Sequence, residues 1–106
     1  MIKGDIILIP FPFTDLTSSK LRPAIILIST DYDVTVSFIS TQLKWINSTD
    51  IQIKPSNKNG IKKESIIKLS KIATIDKALA LGKIGELDQL TLLDLNIKLK
   101  ILLQLY

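Results

Sequence analysis

The chain has 106 residues, 46% of them hydrophobic, with 14 Lys+Arg against 10 Asp+Glu for a formal net charge of +4. That length suits one domain spanning 1–106, and the apolar content can fill a core rather than leave a disordered chain. Histidine and cysteine are both absent, which excludes disulfides, thiolate nucleophiles, zinc sites of the usual ligands and histidine acid–base pairs.

The first apolar run, Asp5-Ile6-Ile7-Leu8-Ile9 between Gly4 and Pro10, reads as a short buried strand. Residues 11–20 hold turn formers without a period and read as a long polar loop. Pro23 to Ser29 is a second continuous apolar run and a central strand. Asp31-Tyr32-Asp33 is a turn, and Val34 to Ser40 alternates with period two as its hairpin partner. After a polar stretch, Ile51-Gln52-Ile53 alternates again and stops before Pro55, and Asn59-Gly60 marks a turn. Ser65 to Leu69 and Ile72 to Ile75 read as two further short strands, and Gly82 and Gly85 bracket another short element around Ile84. Many short strands with regular turn signals predict a mainly β fold, a small antiparallel barrel or sandwich.

The tail alternates locally like a strand, yet Leu90, Leu93, Ile97 and Ile101 follow helical spacing beside a second stripe of Leu92, Leu95, Leu99 and Leu102. Leucine dominance, the N-cap candidate Asp88 and the absence of Gly or Pro predict a C-terminal helix. Its wide apolar face is expected to pack on the barrel. No run approaches the roughly 18 apolar residues that would cross a bilayer, so a cytoplasmic protein without membrane contact is expected. The isoelectric point near 9.4 favours a polyanionic partner, although a solvated lysine surface would give the same number.

Three segments in order resemble the MazF/PemK family of toxins from toxin–antitoxin pairs. They are Lys3-Gly4-Asp5-Ile6-Ile7-Leu8, the stretch Lys20-Leu21-Arg22-Pro23-Ala24-Ile25-Ile26-Leu27, and Phe38-Ile39-Ser40-Thr41-Gln42. Ser65 to Leu69, Ala73 to Lys77 and Gly85-Glu86-Leu87 before the terminal helix continue the likeness over nearly the whole chain. The resemblance implies an SH3-like barrel of the MazF/CcdB type with a C-terminal helix, forming a homodimer. It further implies a metal-independent endoribonuclease, with no cofactor, that cuts single-stranded RNA and is held inactive by a cognate antitoxin lying across the RNA-binding surface. Two other functions suit the same fold: a CcdB-like toxin that binds gyrase, or an inactive barrel that binds nucleic acid or protein.

Arg22 is the only arginine in the chain. Its fork of donors matches phosphate oxygens, and Pro23 holds it extended at the mouth of a strand. Snorkelling or pairing with a surface carboxylate would explain it equally well without a function. In the family a Thr or Ser at the end of the third strand completes the active site, which points to Ser40 or, one residue later, Thr41. Either hydroxyl can donate to a phosphate oxygen, or bond local backbone instead. Thr14, Ser18, Ser19 and Lys20 are candidates for contacting the RNA backbone from the loop, and Gln42 and Lys44 from the segment after the third strand. Many relatives carry an acidic residue in that loop; here Asp15 is its weak substitute. Trp45, the only tryptophan, is either a stacking surface for a base or a packing residue in the barrel or a dimer contact.

Overall fold

The computed structural model describes residues 1–11 and 20–106. Six strands form one antiparallel sheet: β1 (Asp5–Phe11), β2 (Lys20–Ser29), β3 (Asp33–Ser40), β4 (Ile51–Ile53), β5 (Ser65–Asp76) and β6 (Gly82–Glu86). They are ordered β4-β5-β3-β2-β1-β6, and helix α1 (Gln89–Leu102) follows. A 3-10 turn, Lys77–Leu79, links β5 to β6, and Asp76 caps it by accepting a hydrogen bond from the Ala78 amide at 2.8 Å.

The continuous apolar runs are explained by burial on both faces of the sheet. Ile6, Ile25, Leu27, Ile39, Ile67 and Leu69 enter one core, beneath Leu95 of α1. Their alternate neighbours Ile7, Ile9, Ala24, Ile26, Val34 and Val36 enter a second core, against which Leu79 and Ala80 pack. A strand covered on both sides loses polar alternation and reads as apolar throughout. Register shifts between Ile6 and Ile7, Ile26 and Ile28, and Ser37 and Phe38 curl the sheet into a half-barrel.

Two glycines allow the chain to close over β6. Gly60 adopts φ +69°, and a Cβ there would stand 2.1 Å from the Ile84 carbonyl oxygen; one at Gly85 would stand 2.3 Å from the Asn59 carbonyl. This close approach lets the Glu86 amide bond the Lys58 carbonyl at 2.9 Å, which covers part of an otherwise open edge.

Three expectations are corrected. β1 does not stop before Pro10, because Pro10 and Phe11 continue the ladder opposite Leu21 and Lys20. The two short strands at 65–69 and 72–75 are one strand. Ser37 opposes Ile72 while Phe38 opposes Lys68, so residues 69–71 form an irregularity that interrupts the alternation without ending β5. The C-terminal helix is present, but its apolar surface does not all pack on the sheet. Leu95 is buried with Leu92, Leu99 and Leu102 around it, whereas Leu90, Leu93, Ile97 and Ile101 are exposed.

Candidate active site

Arg22 opposes Ile9 in the β1–β2 ladder and is exposed at the end of β2 that follows residues 12–19. Ser40 is the last residue of β3, half-buried and opposite Ile66 of β5. The curl of the sheet brings both to one cleft of about 640 Å³, which Thr41, Gln42, Lys44 and Trp45 also line. Ser40 Oγ accepts the Gln42 amide at 3.0 Å, an arrangement that tightens the turn out of β3 and leaves its hydroxyl proton available to a ligand.

The sheet adds residues that sequence reasoning missed. Phe11 and Phe38 meet edge-to-face, ring centroids 5.5 Å apart, and line the cleft with Asn47, Lys68 and Lys71. Lys71 arrives through the irregularity in β5; the polar pair Ser70-Lys71 between two apolar runs was its one trace in the sequence. Lys68 had no such trace, since its partner Asp50 lies 18 positions away.

Charge along the described lining of the cleft is one-sided. Among the described residues no carboxylate lines it, and Arg22, Lys44 and Lys71 make no ion pair. The carboxylate-capping explanation of Arg22 therefore finds no support among the described residues. Lys68 differs: its Nζ bonds Asp50 Oδ2 at 2.5 Å and the Trp45 carbonyl at 3.0 Å. Trp45 is 86% exposed, which removes packing inside the barrel as its explanation. Lys20 is exposed opposite Phe11 and does not line the cleft. Thr14, Ser18 and Ser19, and with them Asp15, lie outside the described residues.

The profile described as a PemK-like, MazF-like toxin of type II toxin–antitoxin systems matches residues 2–103. The chain belongs to the PemK/MazF-like toxin family. No individual curated protein matches it. Among solved structures, this toxin is similar to the Mycobacterium tuberculosis toxin MazF-mt6, with a TM-score of 0.77 and 20% identity over 94% of this chain and 96% of that one. It is also similar to an endoribonuclease in complex with its cognate antitoxin from a mycobacterial species. There the TM-score is 0.75, with 19% identity over 100% of this chain and 97% of the other. These likenesses establish the MazF fold for the toxin. Among its described residues no helix is long and apolar enough to cross a membrane, and no three potential ligands of the Asp, Glu, His or Cys type gather.

Proposed function

We propose that this toxin is a metal-independent endoribonuclease that cuts single-stranded RNA at short sequences and thereby arrests translation. The observation that carries the reading is the meeting of Arg22 with Ser40 and Thr41 in a cleft whose described lining is cationic and free of carboxylates. RNA presents the matching chemistry: phosphates for the cations and splayed bases for the aromatic rings. The ribose 2′-oxygen attacks the adjacent phosphorus, the bond to the 5′-oxygen breaks, and the products are a cyclic phosphate and a 5′-OH. Arg22 neutralises the charge that builds on the non-bridging oxygens, and Ser40 or Thr41 donates a second hydrogen bond to them. A guanidinium stays protonated at any physiological pH, so Arg22 acts by charge and not as the proton acceptor.

A cognate antitoxin is the natural protein partner under this reading, its anionic segment occupying the cationic cleft in place of RNA. The solved endoribonuclease–antitoxin complex of a relative supports that assignment. A homodimer belongs to the same reading, and the exposed apolar residues of α1 offer surface for one. The test is incubation of the purified toxin with a long RNA in the presence of a chelator, with mapping of 5′ ends. Discrete cuts bearing 5′-OH termini are expected. An RNA left intact overturns the reading, and gyrase retained by the same preparation would assign the toxin to the CcdB-like class instead.

A further inference from the structure

We infer that Lys68 is a positioning residue, holding Trp45 in place as a stacking platform for an RNA base beside the scissile phosphate. The inference rests on the endoribonuclease reading and adds to it the device that presents the base-reading surface. Trp45 lines the same cleft as Arg22, and its indole is almost wholly in solvent. Its backbone sits at φ +60°, a region that residues other than glycine rarely occupy, so something must hold it there.

The hold is visible. Lys68 Nζ donates to the Trp45 carbonyl at 3.0 Å and to Asp50 Oδ2 at 2.5 Å. The same Asp50 oxygen accepts the Asn47 amide at 2.7 Å, and the Asp50 amide returns a bond to the Asn47 carbonyl at 3.1 Å. From α1, Lys98 Nζ reaches the Asp50 carbonyl at 3.1 Å. The segment 45–50 is thus anchored from β5 on one side and from α1 on the other. A buried ion pair is seldom more stabilising than apolar side chains of the same volume. What an apolar residue at position 68 could not supply is the bond to the Trp45 carbonyl. That bond fixes the backbone beneath an exposed indole in the cleft that Arg22, Lys44 and Lys71 also line, an arrangement suited to a base attached to a phosphate chain.

The test replaces the pair together, so that no buried charge is left alone. In the double variant D50N/K68M the Asn side chain can still accept the Asn47 amide, whereas the donation to Trp45 is gone. Because Trp45 is the only tryptophan, its fluorescence reports the platform directly. The probe is a mixed-sequence RNA with 2′-O-methyl riboses, which binds but lacks the attacking hydroxyl. Wild type is expected to be quenched on titration. The double variant, shown by circular dichroism and melting to be folded, should need about ten-fold more probe, the scale of one lost stacked base. On cleavable RNA its loss should fall mainly on KM and on the base preferred next to the cut, with W45A showing the same flattening and W45F restoring part of it.

A folded double variant that quenches at wild-type concentrations overturns the inference, as does a wild type that is not quenched at all. Quenching requires no cleavage. A toxin that quenches with the expected difference but leaves RNA uncut would overturn the nuclease reading while sustaining the platform.

Discussion

Lys68 of β5 and Asp50, just ahead of β4, meet as an ion pair at 2.5 Å with side-chain exposures of only 11% and 0%. Removing either partner alone strands a charge in the interior, which costs about 3–5 kcal/mol. K68M should therefore melt at least ~12 °C below wild type, since about 1 kcal/mol moves a domain of this size by roughly 4–8 °C. The double variant D50N/K68M should recover most of that loss. Thermal denaturation of the two single variants and the double variant closes the cycle, and simple additivity of the losses would mean the pair is not coupled.

Arg22 is exposed and makes no ion pair among the described residues, so its removal should leave the fold nearly untouched. R22A is expected to melt within about 0.5 kcal/mol of wild type, the usual range for surface sites. Its cleavage rate should fall by roughly 10²–10³ or more, the scale of one lost donor to a developing oxyanion. Lysine at this position carries the charge without the planar fork, so R22K should recover only part of the rate. Single-turnover cleavage of a defined RNA measures both, and R22A cutting at the wild-type rate would remove Arg22 from the chemistry.

Why some of this was legible in the sequence and some was not has a physical basis. Buried strands and helix caps are local: Ile25 and Ile26 sit in an apolar run because both sheet faces are covered, and Asp88 marks the helix start because its side chain bonds the first turn. Arg22 was legible because Pro23 keeps it extended and the apolar run that follows marks its strand, although β2 begins at Lys20 and so carries Arg22 within the ladder and not at its mouth. Lys71 was not, because alternation along β5 gave no sign that the irregularity opposite Ser37 and Phe38 would bring it to the cleft. Lys68 reads in the sequence as one more charged residue in an apolar strand, because the Asp50 that pairs with it lies 18 positions away. Both stripes of α1 were visible as periodicity, but only the sheet decides that Leu92, Leu95 and Leu99 face it while Leu90, Leu93 and Ile97 do not.

The cleft cations that make no ion pair among the described residues, Arg22, Lys44 and Lys71, make RNA binding salt-dependent in a countable way. Each phosphate contact to a single strand contributes about 0.7 to the slope of log affinity against log salt. K44A and K71A should each weaken binding to RNA broadly across sequences and flatten that slope by about 0.7, whereas a change at Lys20, which does not line the cleft, should leave it unchanged. Titration of a non-cleavable RNA at several salt concentrations measures the slopes. Equal slopes for wild type and both cleft variants would show that neither lysine meets a phosphate.

The cap of α1 supplies a pH-dependent test. Asp88 Oδ1 accepts the Thr91 amide at 2.8 Å, and that bond holds the Asp88 carboxyl below its ordinary value in the folded protein. A carboxyl with a depressed folded pKa stabilises the fold above its unfolded pKa, about 3.9, and the contribution is lost as pH falls through the folded value. Near neutrality D88A should be less stable by about 0.5–1 kcal/mol, the lower part of the range for N-caps because the site is exposed. The gap should narrow as pH falls below ~4 and Asp88 in the wild type takes up its proton, which removes the charge-dependent part of the cap. D88N keeps a neutral acceptor for the Thr91 amide, so it should lie between the two near neutrality and match the protonated wild type in acid. Melting curves of the three proteins from neutral to acid pH give the comparison, and a D88A deficit that persists unchanged in acid would mean that the carboxylate's charge contributes nothing to the cap.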